Sequence, residues 1–226
     1  MNWRYLSVLV GLMVAPLPQL AAEPVPGTDA QATADSAAER GRRALTSTSF
    51  LRASWRESAY RQVGKLWASA PDPASEPDAY ARAFLERYGL NPAPYPNHGY
   101  PMGLRQATTR RGEPGLMIDC MVCHGGSIGG QSYVGLGNTT LDITPLLEDL
   151  TRADGRRPPL RTFVLNSTRG TVNAGMISAV LISLRNPDLS FRPFPLPLAA
   201  KLPEIDIPPW WNLGRKRTMY QDGRTP

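Results

Sequence analysis

Cysteine, histidine and lysine are scarce in this chain of 226 residues, which holds two Cys, two His and three Lys. Two cysteines cannot build a disulfide framework. With His98 and His124 as the only histidines, a structural zinc site lacks its four ligands and general-base chemistry has few candidates. Beyond the N-terminal segment no apolar run is long enough to span a bilayer. No Ser-His-Asp set, carboxylate dyad, calcium loop or phosphate-binding glycine loop can be assembled. These gaps exclude the commonest hydrolytic and nucleotide-dependent classes.

Charge is not scarce. The formal net charge is +6, and every basic residue except Lys65, Lys201 and Lys216 is arginine. An acidic redox partner or an anionic surface would meet this charge. No long basic run concentrates it, and no motif supports nucleic-acid binding.

What the chain does have is Cys120-Met121-Val122-Cys123-His124, the C-x-x-C-H spacing of a c-type haem attachment site. Two thiols add across the two vinyl groups of one porphyrin. One helical turn separates Cys120 from Cys123, so both reach the same macrocycle edge. His124 follows as the proximal iron ligand. The competing readings fit less well: a zinc half-site lacks partners, a redox dithiol leaves His124 without a role, and a disulfide here would close a very short loop.

The N-terminus is consistent with this chemistry. Arg4 precedes an apolar run from Leu6 to Val14 and a stretch ending in small residues, the layout of a signal peptide over 1–22. Haem is attached outside the bacterial cytoplasmic membrane, so a periplasmic or otherwise exported location is expected. Residues 23–38 hold no large apolar side chain and read as a disordered tether.

Periodicity predicts helices from Phe50 to Ala68, from Ser75 to a stop at Gly89, from Leu116 to His124, from Thr144 to just before Gly155, and from Thr171 to Arg185. The four prolines of Asn91 to Pro101 predict an extended loop. Between Asn186 and Trp210 seven prolines preclude a long helix. The expected fold is mainly α, with a haem domain over 39–185 and a Pro-rich irregular extension over 186–226. That tail closes poorly on a domain and fits the start of a further one in a longer protein.

The far side of the iron separates electron transfer from catalysis. Met176, Met102, Met219 and His98 are the candidate sixth ligands, and an open position is the alternative. Arg105, Arg110, Arg111 and Arg169 are candidate propionate partners. The glycines that crowd the stretch after His124 are expected to let backbone run close to the macrocycle. Trp210 and Trp211 read as an anchor for the Pro-rich tail or as an electron stepping stone.

The segments IDCMVCHGGSIGG, RYGLNPAPYPNHGYPMGL, STRGTVNAGMISAVLISLRNPDL and IDIPPWWNLGRKRTMYQDGR resemble the cytochrome c superfamily. More narrowly, they are similar to exported multi-haem proteins related to bacterial di-haem cytochrome c peroxidases and rubber oxygenases. The resemblance implies a cytochrome c-like helical domain around one covalent haem c, with Cys120 and Cys123 as attachment residues and His124 as proximal ligand. Relatives carry a second C-x-x-C-H, and this chain has one. Two functions follow as expectations: a one-electron carrier, or the haem-bearing N-terminal part of a peroxidase- or oxygenase-like enzyme whose second haem domain lies further along.

Overall fold

The computed structural model describes residues 36–158, 166–177, 185–188, 190, 203–211 and 213–215. The signal peptide expected over 1–22 lies outside them, as does the tether except for 36–38. The chain divides into two units at Arg40/Gly41. In the first, Ser36 accepts a hydrogen bond from the Glu39 amide at 3.2 Å and opens helix α1 (Ala37–Ser47). The last residues assigned to the tether are therefore helical.

The second unit mixes helices with short strands, which corrects the mainly α, cytochrome c-like expectation. Among the described residues it carries three small antiparallel sheets. The predicted helix from Phe50 breaks at once. Trp55–Arg56 is strand β1, paired with Leu116 and Gly115, and only Ser58–Gln62 (α2) is α-helical before a 3-10 turn at Val63–Leu66. Two contacts fix the break. The Arg56 guanidinium is drawn to Asp154 at 2.9 Å, and the Trp55 indole donates to Thr151 at 3.0 Å. Gly64 sits so close to the Tyr80 ring that a Cβ there would lie 2.8 Å from it.

Helix α3 (Pro77–Tyr88) follows its predicted stripe, with Tyr80, Phe84 and Tyr88 buried. It starts two residues later than predicted because Pro77 takes the first helical position, where its missing N–H costs nothing. Gly89 ends it at φ 64°, in the left-handed region glycine enters freely. The 91–101 stretch is the irregular loop its prolines predict, tied by the Asn97 amide to the carbonyls of Tyr100, Pro101 and Leu104.

Strands β2 (Leu104–Thr108) and β3 (Pro114–Ile118) form a hairpin and complete the first sheet with β1. The helix predicted from Leu116 is thus a strand up to Ile118. Only one turn, α4 (Met121–His124), is helical. Strands β4 (Gly125–Ile128) and β5 (Gln131–Val134) pair directly after it.

Helix α5 (Ile143–Ala153) packs Leu146 and Leu150 into the core, close to its predicted bounds. The last predicted helix begins instead as strand β6 (Thr171–Val172), with helical backbone at 174–177; residues 178–184 lie outside those described. Strand β6 pairs with β7 (Ile205–Asp206), so part of the Pro-rich extension is ordered sheet. The core joins Trp55, Val63, Tyr80, Phe84, Leu116 and Leu146 with their neighbours. Among the described residues no helix is long and apolar enough to cross a membrane.

Candidate haem-attachment site

The motif stands at the junction of two sheets. Strand β3 ends at Ile118, and Asp119 then redirects the chain: its carboxylate accepts the Met121 amide at 2.8 Å and its carbonyl accepts the Val122 amide at 3.1 Å. Asp119 is itself held by Arg105 at 2.7 Å in a buried ion pair. Arg105 also donates to the Leu45 and Thr46 carbonyls at 2.8 Å. This corrects its candidacy as a propionate partner, since its donors already serve the fold. Arg169 likewise donates to the Glu86 and Arg87 carbonyls, while Arg110 and Arg111 are exposed at the β2–β3 turn.

The single turn of α4 separates two apolar side chains from the two thiols. Met121 and Val122 point into the core, whereas Cys120 is exposed and Cys123 half-buried. Both thiols are free. Burial, with a smaller contribution from neighbouring Cys120, pushes the Cys123 thiol up to about 12. It is therefore protonated at neutral pH, the reverse of the lowered value that makes a redox dithiol reactive. Among the described residues no three His, Cys, Asp or Glu side chains cluster as a metal ion would require.

His124 has two contacts that define it. Its Nδ1 lies 3.0 Å from the Pro208 carbonyl oxygen. A carbonyl has no proton to give, so the hydrogen bond exists only when Nδ1 is the donor. The neutral imidazole then carries its lone pair on Nε2, the nitrogen free to bind iron. Burial holds His124 below its ordinary value, against a smaller upward pull from Pro208, which favours this neutral form. The second contact is Trp210, whose ring centroid lies 4.4 Å from that of His124 at a 32° tilt.

Trp210 and Pro208 belong to a strap, residues 203–211, laid across the backbone after the motif. The Trp210 amide donates to the Gly135 carbonyl at 2.7 Å, and Ile207 is buried. A Cβ on Gly137 would lie 1.9 Å from the Ile207 carbonyl oxygen. At Gly125, Gly126 and Gly137 it is protein backbone that approaches closely, whereas Gly129 and Gly130 stand in open space at positive φ. Trp210 anchors the strap and lies against the His124 ring, which is the anchoring role read for it from the sequence. Trp211 is exposed.

The proposed sixth ligands fare unequally. Met102 is buried with its Cγ and Cε 2.8 Å from where a Gly125 Cβ would stand, directly after His124. Met102 is thus packed in the core, and Met219 lies outside the described residues. His98 is exposed at a left-handed turn with φ 54°. Met176 is buried where helical backbone begins, its amide donating to Asn173 at 2.9 Å. Among the described residues no hydrogen bond or ring contact joins His98 or Met176 to the motif. A cleft of about 270 Å³ lined by Tyr60, Leu85, Tyr95 and Tyr100 contains no motif residue.

The strap's role was hidden in the sequence. Pro208 acts through a carbonyl that every residue carries, and its distance of 84 positions from His124 leaves no local signal. The WW pair was the one visible cue. Compared with protein-family models, curated proteins and solved structures, the chain matches none.

Proposed function

We propose that this chain is an exported c-type cytochrome that carries single electrons. The observation that carries the reading is the hydrogen bond from His124 Nδ1–H to the Pro208 carbonyl, beside two free thiols one turn apart. The donor set fits a covalent haem. When bound, the haem iron supplies reversible one-electron chemistry between Fe(III) and Fe(II).

Cys120 and Cys123 hold the macrocycle through two thioether bonds. His124 offers Nε2 to the iron. The Pro208 carbonyl keeps the ring in that tautomer and orientation and raises its basicity, as outer-shell acceptors do for metal-bound histidines. Trp210 covers one face of the imidazole and keeps water from it. Met176 is one methionine candidate for the far side of the iron. The arginine-rich surface suits an acidic redox partner.

The test is a pyridine haemochrome assay on the denatured protein after export from a host with haem-attachment machinery. One covalent haem per chain is expected, and none in Cys120→Ser/Cys123→Ser. Denatured wild-type protein free of haem would overturn the reading. A Met-to-iron charge-transfer band that vanishes in Met176→Ala assigns the sixth ligand and supports the carrier. An open sixth position with peroxide turnover would favour the peroxidase-like alternative.

A further inference from the structure

We propose that Glu204 is a positioning residue for His124, acting as the buckle that holds the strap, and hence the Pro208 carbonyl, on Nδ1. The proposal rests on the reading of His124 as the iron ligand.

Glu204 is four residues before Pro208, and its carboxylate is saturated with donors from one turn. Its two oxygens accept the Ser167 amide at 2.8 and 2.9 Å, the Ser167 hydroxyl at 2.7 Å, the Thr171 hydroxyl at 2.8 Å and the Thr168 amide at 3.3 Å. Hydrogen bonds to an ionised acceptor are about twice as strong as neutral ones. The turn that supplies them is tied to the core. Asn166 accepts the Thr144 amide at 3.0 Å and donates to Asp142 at 3.2 Å, at the start of α5.

The rest of the strap needs such a fixture. The β6–β7 ladder has two residue pairs, Thr171 with Asp206 and Val172 with Ile205. A pairing that short is marginal by itself. Beyond it the strap meets the motif region through backbone, the Ile207 carbonyl against Gly137, the Trp210 amide on Gly135 and the Pro208 carbonyl on His124, and through two side chains, buried Ile207 and Trp210 against the His124 ring. These contacts lie beyond Asp206 and do not fix where the strap is tied at its start. The Glu204 carboxylate, received by a preformed set of donors, does. It is the charged, side-chain-specific end of a path running from α5 to the imidazole.

The test uses the full chain with Glu204→Ala and Glu204→Gln. In the haem-free protein, long-range ¹⁵N–¹H spectra report which His124 nitrogen carries the proton, and hydrogen exchange reports the Trp210 amide. Glu204→Ala is expected to move His124 toward the Nε2–H form and to speed Trp210 exchange by about tenfold or more, with Phe84-region amides unchanged. Glu204→Gln, which keeps one acceptor oxygen, should lie between the two. In the haem-loaded protein the midpoint potential should rise, because a less basic imidazole stabilises Fe(III) less.

Unchanged tautomer and Trp210 exchange in Glu204→Ala would overturn the proposal. Should that variant fail to fold, shown by core amides losing protection as well, Glu204→Gln decides by the same two readouts. Haem that never attaches would overturn the functional reading and leave the tautomer measurement to judge the strap.

Discussion

Around α3 and α5, rings fill the space: Trp67 stacks on Tyr80 at 5.4 Å, and Phe84 meets Tyr88 at 4.8 Å and Tyr60 at 4.7 Å. Around α4 the space is closed by backbone. Gly125, Gly126 and Gly137 each leave room that a Cβ would take from a carbonyl oxygen 1.9–2.4 Å away. The first region is specified by side-chain volume and the second by its absence. Volume gives stability, since each large buried ring contributes a few kcal/mol. Close backbone packing gives placement: it sets where a carbonyl such as that of Pro208 stands, at little gain in buried apolar area.

Removing a ring should break the first region outright. Phe84→Ala is expected to lower stability by about 3–5 kcal/mol in urea denaturation. A loss below about 1 kcal/mol would mean the aromatic cluster is not the stabilising half. Adding one methyl should break the second region instead. Gly137→Ala forces the Ile207 carbonyl away at a cost of about 1–3 kcal/mol, as overpacking does. Its signature is local, a loosened Trp210 amide in hydrogen exchange with α3 amides still protected.

The two regions should also fail at opposite ends of the pH scale. Burial raises Tyr80 to about 12, so its contribution is complete below 10 and is lost as pH rises through 12. Hydrogen bonds, chiefly from the Ser167 amide, hold Glu204 at about 2, so its contribution is complete above 4.5 and fades as pH falls through 2. Acid titration followed by Trp210 exchange should release the strap before the aromatic core. The same midpoint in Glu204→Gln would remove Glu204 as the cause. The smallest effect concerns the thiols. At pH 8 in haem-free protein, alkylation should modify exposed Cys120 faster than half-buried Cys123, whose thiol is raised to about 12. Equal rates, read by mass spectrometry, would show that α4 does not distinguish them.

The same contrast explains what was legible in the sequence. The α3 stripe of Tyr80, Phe84 and Tyr88, its stop at Gly89 and the apolar face of α5 are side-chain patterns, and a sequence displays side chains. Cys120, Cys123 and His124 stood out as a motif of fixed residue type and spacing, and the structure places them on and beside one helical turn. The short strands were not. Leu116, Met117 and Ile118 form a continuous apolar run, which reads equally as helix or buried strand. Trp55 kept helical spacing, yet its backbone is claimed by β3 from 61 positions away. Gly125 to Ile128 has no strand-favouring run and pairs because a turn at Gly129 and Gly130, both at positive φ, brings β5 back. Strap closure depends on carbonyls, which leave no letter in a sequence. The mainly α reading failed for that reason: it counted faces and could not count ladders.

The span between His124 and Pro208 also sets an order of events. Closing so long a loop carries an entropic cost that must be met before its contacts reward it, so non-local pairings form late. The hairpin β2–β3, the turn of α4 and the pair β4–β5 are all local and need nothing from residue 203 onward. An emerging chain would therefore present Cys120, Cys123 and His124 to solvent before the strap arrives. The imidazole would be uncommitted while the local elements form and acquire its acceptor last. A site assembled in that sequence is open early and covered once folding is complete.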